Sequence, residues 1–248
     1  MNRDECFFDT LDVRAGIEAD NDKYAVRVRE FCRAHGIFLV NLMASPGAGK
    51  TSVLSCLIPA FRDRFRIGVM EADMDADVDA RIVSALGART VQLHTGTSCH
   101  MDAKMTLEGL QAFGEDFPEL VILENVGNLV CPAEFDVGAN LKLMILSVPE
   151  GDDKPLKYPL MFTVSECMLI NKIDTAPIFD FDSERCRAHV RALNPEMPVF
   201  PVSAKTGEGF PEWFRWLEAR ITKQSGTEGP EGAESRVSED FPTEGDRA

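Results

Sequence analysis

An apolar run, Ile37–Met43, leads into Ala44-Ser45-Pro46-Gly47-Ala48-Gly49-Lys50-Thr51 and then directly into a helix-compatible stretch. Strand, glycine-containing loop and helix in this order constrain the fold more than any other feature. Gly47 and Gly49 let the backbone turn its N–H groups toward an anion with no Cβ in the way. Lys50 reaches the β- and γ-phosphates as a point charge, the Thr51 hydroxyl suits Mg²⁺, and the following helix aims its positive end at the phosphates. Gly47, Ala48, Gly49, Lys50, Thr51 and Ser52 are therefore assigned to a nucleoside triphosphate. The usual pattern opens on Gly where this chain has Ala44. The loop does not choose the base.

The rest of the chain alternates between short apolar runs and amphipathic stretches. A helix over Asp22–His35 is expected from Ala25, Val28, Phe31 and Cys32, with Gly36 as its stop. Helices are expected at Lys50–Phe65, Val78–Leu86, Met101–Phe113, Ser183–Leu193 and Pro211–Ile221. Strands are expected at Ile37–Met43, Ile67–Glu71, Thr90–Leu93, Leu120–Leu123, Leu141–Val148, Met168–Ile170 and Val199–Val202. This predicts an α/β protein, a three-layer P-loop NTPase fold with a mostly parallel sheet covered on both faces.

Three segments follow: residues 1–36 as an N-terminal segment and helix, 37–221 as the nucleotide domain with a metal site, and 222–248 as an acidic tail. Gly, Ser, Glu and Pro dominate the tail, too little apolar surface to offset its ordering entropy, so it reads as disordered. The net charge of −15 argues against nucleic-acid and anionic-membrane partners, which reward a basic surface. No apolar run approaches a membrane span, and residues 1–10 lack an export pattern. Seven cysteines without a Cys-x-x-Cys pair fit a reducing compartment, so a cytoplasmic protein is expected.

The strand at Met168–Ile170 ends in Asn171-Lys172-Ile173-Asp174. Guanine presents two adjacent donors, N1–H and the 2-amino group, and the Asp174 carboxylate can accept both; adenine offers an acceptor at N1 and would be repelled. Asn171 suits either the O6/N7 side of the base or bracing of the phosphate loop, and the Lys172 stem can cover the base face. The next strand ends in Ser203-Ala204-Lys205-Thr206-Gly207, a loop able to back the guanine O6 with a backbone N–H. Three motifs at strand C-terminal ends, in this order, point to GTP.

Longer segments carry a more specific resemblance. Glu124-Asn125-Val126-Gly127-Asn128-Leu129-Val130-Cys131-Pro132, Cys99-His100-Met101-Asp102-Ala103 and Glu150–Pro159 resemble the HypB family, the nickel-insertion GTPases of NiFe-hydrogenase maturation. The resemblance spans about Asn21 to Leu217. It implies a P-loop branch that forms a homodimer around nucleotide. It also implies nickel delivery to the hydrogenase large subunit beside a companion nickel metallochaperone. By matching position, Asp73 stands where the family places an Asp near Mg²⁺ and the attacking water, although Ala72 replaces a common Gly. Glu124 ends its strand with Gly127 three residues on, suiting a Mg²⁺-held water and the γ-phosphate respectively. Lys50, Asp73 and Glu124 are thus the catalytic candidates, and Thr51, Asp73 and Glu124 those for magnesium.

Cys99, His100 and Cys131 sit in loops that leave the same edge of a parallel sheet, so they can meet. Thiolate and imidazole suit Ni²⁺ or Zn²⁺. Single cysteines are also often small buried hydrophobes; the resemblance implies ligands. Three donors leave positions open for water or a twofold-related copy, which favours release over permanent storage. With only Cys6 before Cys32 and no histidine before His35, no tight N-terminal nickel store is expected. Competing readings are a GTPase serving urease or another metalloenzyme, a metal buffer with regulatory nucleotide binding, and a small-molecule kinase.

Overall fold

The computed structural model describes residues 13–73, 78–95 and 98–226. Seven strands form one sheet: β1 Phe38–Ala44, β2 Ile67–Asp73, β3 Arg89–His94, β4 Leu120–Glu124, β5 Leu141–Ser147, β6 Cys167–Asn171 and β7 Val199–Pro201. Their order is β3-β2-β4-β1-β5-β6-β7, and every pair is parallel. All strand C-terminal ends therefore share one edge. The helices are α1 Val13–His35, α2 Lys50–Phe61, α3 Val78–Ala85, α4 Ala103–Gln111, α5 Cys131–Glu134, α6 Lys154–Lys157, α7 Pro159–Val164, α8 Ala176–Phe179, α9 Ser183–Leu193 and α10 Phe210–Ser225.

β1 shows why the sheet is central. All seven of its residues are buried, and successive side chains enter opposite layers as the pleat requires. Phe38, Val40, Leu42 and Ala44 join the core that α2 and α10 cover, with Trp213 and Leu217 fully buried there. Leu39 joins the core under α1 and α4, and Met43 the one under α7 and α9. This is the expected three-layer P-loop arrangement. No helix among the described residues is long and apolar enough to cross a membrane.

The expected strands all form, with ends shifted by a residue or two. Several helices differ more. α1 starts at Val13 rather than Asp22, because Asn21 carries tertiary contacts that offset its poor helix propensity. Its Nδ2 donates to the Asp136 carbonyl at 2.9 Å, and its Oδ1 accepts from Ala103 N–H at 2.9 Å. α4 starts at Ala103 rather than Met101, since the Asp102 side chain accepts from Met105 N–H at 2.7 Å and caps it. α2 stops at Phe61, before the charged run Arg62-Asp63-Arg64. α10 continues to Ser225, four residues into the stretch read as tail, with Ile221 buried and the Thr222 hydroxyl donating to the Glu218 carbonyl at 2.7 Å. Residues 227–248, the rest of that tail, and residues 1–12 lie outside the described residues.

Candidate nucleotide and metal sites

The phosphate loop spans the gap between β1 and α2. Gly47 and Gly49 both have positive φ, 75° and 96°. At Gly49 a Cβ would also stand 2.6 Å from Asn171 Nδ2, so both backbone and space require glycine. Asn171 uses its whole amide on neighbours: Nδ2 donates to the Ala48 carbonyl at 3.0 Å, and Oδ1 accepts from Ala204 N–H at 3.1 Å. Of the two roles left open by its residue type, it occupies the bracing one. Lys172, in a left-handed conformation at φ 62°, donates from Nζ to the Gly47 carbonyl at 2.7 Å. The Asn171–Asp174 turn and the phosphate loop are thus one hydrogen-bonded unit.

Beside that unit lies a cavity of about 240 Å³ lined by Ser52, Asn171, Lys172, Asp174, Thr175, Ala204 and Lys205. Six of those seven are residues the motifs singled out; Thr175 is the addition, and no motif signals it. Ser203 is buried behind the cavity wall and donates from Oγ to Asp174 Oδ1 at 2.7 Å, which orients the carboxylate.

Lys50 Nζ lies 3.8 Å from Glu124 Oε1, both side chains largely enclosed. Gly127 packs against the loop itself: a Cβ there would meet Pro46 Cγ at 3.1 Å and its Cα at 3.2 Å. The hydroxyl of Thr51 and the carboxylate of Glu124 are hard oxygen donors, a set that fits Mg²⁺ better than a softer cation. The backbone of Asp73 ends β2 at this edge, paired in register with His94; its carboxylate lies outside the described side chains. So do residues 74–77 of the acidic stretch that follows.

Cys99, His100 and Cys131 do meet. One donor atom from each lies within 4.8 Å of the others. The two sulfurs are 2.8 Å apart, and His100 Nδ1 is 3.8 Å from the Cys99 sulfur. The His100 ring stacks on Phe135 with centroids 4.0 Å apart. Burial lowers its pKa, favouring the neutral imidazole that binds metals, while Asp102 and Glu134 pull the other way. The hydrogen bond to Cys99, then burial, pushes the Cys131 thiol up, against a lowering contact from Asn128. Two adjacent thiolates repel unless a cation sits between them, so this set suits a soft or borderline divalent ion. The remaining described cysteines behave differently. Cys32, Cys56, Cys167 and Cys186 are buried in the core, and burial pushes the Cys32 and Cys186 thiols up to about 12. They are packing residues.

Two asparagines link these loops, and neither carries a role in the sequence motifs. Asn125, fully buried, accepts from Met101 N–H at 3.0 Å, and Asn128 donates to the Cys99 carbonyl at 3.4 Å. Their position inside the Glu124–Pro132 segment was the available signal.

The family model described as CobW/HypB/UreG, nucleotide-binding domain, matches residues 38–201. The hydrogenase maturation factor HypB of Azotobacter vinelandii is 45% identical over 217 residues, covering 88% of this chain and 70% of that protein. The chain belongs to the HypB family. The Helicobacter hepaticus relative, a hydrogenase/urease maturation factor HypB, is 37% identical and covers 85% of this chain and 88% of its own length. Among solved structures, HypB from Helicobacter pylori in complex with nickel superposes with a TM-score of 0.79 at 33% identity, covering 85% of this chain and 99% of that one. The HypB resemblance and the α/β P-loop fold expected from the sequence are therefore correct.

Proposed function

We propose that this chain is a GTP-hydrolysing metallochaperone that assists nickel insertion into the large subunit of a NiFe hydrogenase, with nucleotide state gating nickel at Cys99, His100 and Cys131. One observation carries the reading. Gly127 is in contact with Pro46 of the phosphate loop, and Cys131, four residues later, has its sulfur 2.8 Å from that of Cys99. The guanine cavity lies at the other end of the same loop.

Asp174 accepts from guanine N1–H and the 2-amino group, and the N–H groups of Gly47, Ala48 and Gly49 with Lys50 hold the phosphates. Ser52, Lys172, Ala204 and Lys205 line the nucleoside, with Asn171 and Ser203 holding that wall in place. Thr51 and Glu124, with Asp73 as a further carboxylate, would hold Mg²⁺, which would supply neutralisation of the phosphate charge. In hydrolysis a water oxygen bonds to the γ-phosphorus, the bridging bond to the β-phosphate breaks, and GDP and phosphate leave with one proton released. Asp73 orients the attacking water, Glu124 holds a water at the magnesium site, and Gly127 N–H meets the γ-phosphate. Loss of that phosphate removes the contact partner of Gly127, and the segment leading to Cys131 moves with it. Nickel, or Zn²⁺ in its place, is cargo for the site and not part of the hydrolytic machinery.

Nickel affinity measured with GDP and with a non-hydrolysed GTP analogue tests the gate. A difference of about fivefold or more is expected. Equal affinities sink the gating, because a ligand shifts only an equilibrium whose states it distinguishes. A homodimer with nucleotide and a companion nickel metallochaperone belong to this reading. Ile178 and Phe179, 79% and 50% exposed beside the guanine turn, give a second copy an apolar place to dock. The Helicobacter hepaticus relative, a hydrogenase/urease maturation factor, favours one further reading, service to urease as well as hydrogenase.

A further inference from the structure

The side chain of Asn125 joins three segments that sequence keeps far apart. It is fully buried immediately after β4. Its Oδ1 accepts from Met101 N–H at 3.0 Å and from Val126 N–H at 2.9 Å, and its Nδ2 donates to Asn41 Oδ1 on β1 at 3.1 Å. Its backbone N–H donates to the Leu42 carbonyl at 3.0 Å, pinning the residue to the strand that leads into the phosphate loop. Met101 directly follows Cys99 and His100. One amide thus fastens the first metal loop to the segment that carries the second. Asn128 repeats the tie nearer to solvent: Nδ2 donates to the Cys99 carbonyl at 3.4 Å, while Oδ1 accepts from Val130 N–H at 2.9 Å, one residue before Cys131.

An apolar residue could fill the volume of Asn125 but could not hold Met101 at a fixed distance from Val126. We propose that Asn125, seconded by Asn128, is a positioning residue for nickel. It sets the separation at which the Cys99 and Cys131 thiolates and the His100 imidazole share one ion. The proposal rests on the reading of those three residues as nickel donors. Among the described residues the two loops also meet through the His100–Phe135 stack and the Cys99 and Cys131 sulfurs; the amides add directional bonds to the backbone of each loop. Asn125 also lies between Glu124, 3.8 Å from Lys50, and Gly127, against Pro46. Any displacement of that segment on nucleotide exchange reaches Met101 through the same side chain.

The test is nickel titration of the full chain with GDP bound, read both as a dissociation constant and as thiolate-to-nickel charge-transfer absorption. Asn125→Ala is expected to bind nickel about 10- to 100-fold more weakly, with a shifted band, as loss of a residue that orients metal ligands does. Asn128→Ala is expected to lose about two- to tenfold, the effect of one partly exposed neutral hydrogen bond. Asn125→Asp keeps the Oδ1 acceptor for Met101 and Val126 N–H but loses the Nδ2 donor to Asn41 and buries a charge, so it should bind nickel more weakly than wild type and more tightly than Asn125→Ala. GDP affinity in the same samples reports that the nucleotide half is folded. Wild-type nickel affinity and spectrum in Asn125→Ala overturn the proposal. If Asn125→Ala does not fold, weakened nickel binding in Asn128→Ala with wild-type GDP affinity supports it, and unchanged nickel affinity in Asn128→Ala overturns it. Failure of the donor reading looks different: Cys99→Ala and Cys131→Ala then bind nickel as tightly as wild type, and both ideas fall together.

Discussion

The side-chain amide of Asn171 donates to the carbonyl of Ala48 at 3.0 Å, so the end of β6 holds the phosphate loop in shape from across the cavity. Asn171→Ala removes this bond and the one from Ala204 N–H, leaving two buried backbone groups without their partner. A loss of about 2–3 kcal/mol in nucleotide binding is expected, about 30- to 150-fold in GDP affinity by calorimetry. An affinity within threefold of wild type would show that the loop keeps its shape unaided.

Gly49→Ala meets two obstacles at once. The φ of 96° disfavours any L side chain, and the new Cβ would press on Asn171 Nδ2. Loss of detectable GDP binding is expected, with thermal stability lowered by no more than a few degrees because the core is untouched. Thermal melting beside fluorescent-nucleotide titration checks both parts.

At Asp174, the carboxylate exchanged for an amide presents a donor where guanine also presents donors. Asp174→Asn is therefore expected to weaken GTP by about 100-fold or more and to improve relative binding of xanthosine triphosphate, whose 2-oxo group accepts. Competition between the two nucleotides measures it. The Ser203 hydroxyl, which donates to Asp174 at 2.7 Å, can keep the amide oriented by accepting or donating.

Away from both sites, Asp152 is enclosed and bidentately held by Arg185, Nε to Oδ1 at 3.0 Å and Nη2 to Oδ2 at 2.6 Å, with Asp182 N–H adding a third bond at 2.9 Å. The Arg185 guanidinium holds the Asp152 carboxyl below its usual range. A depressed carboxylate pKa stabilises the fold above its unfolded value of about 4, and the contribution disappears as pH falls through the folded value. Arg185→Ala should lower stability at pH 7, because the enclosed Asp152 carboxylate loses its cation. The gap from wild type should narrow steadily below about pH 4. Urea melts at pH 7 and at low pH decide it; a gap independent of pH assigns the loss to packing alone.

Oligomeric state tests the exposed apolar pair on α8. Ile178→Asp with Phe179→Ser is expected to leave GDP affinity within about twofold, since neither side chain lines the cavity, while abolishing any dimer formed with a GTP analogue. Light scattering with and without the analogue reads the outcome. A dimer that persists in the double variant moves the interface elsewhere.

Local signals carried most of the framework. The phosphate loop, the Asn171–Asp174 turn and Ser203–Gly207 were legible because each is a short motif on a strand end, where residue type and backbone requirement coincide. Strand runs such as Leu120–Leu123 were legible because burial on both faces leaves an unbroken apolar segment. Four short helices, α5 to α8, were not, since four to six residues carry no helical period; the prolines at their first turns were the missed sign. The early start of α1 was hidden because Asn21 gains from partners more than 80 residues away. Cys99 and Cys131 could be nominated by chemistry, yet their closeness depends on Asn125 and Asn128, whose bonds are tertiary.

The strand order has a further consequence. β1 and β5 separate β2, β3 and β4, whose ends and following loops carry Asp73, Cys99, His100, Glu124 and Cys131, from β6 and β7, whose ends and following loops carry Asn171–Asp174 and Ser203–Lys205. In the proposed function, choice of fuel and choice of freight are written on opposite flanks of one sheet, and the phosphate loop between them is the grammar the two share.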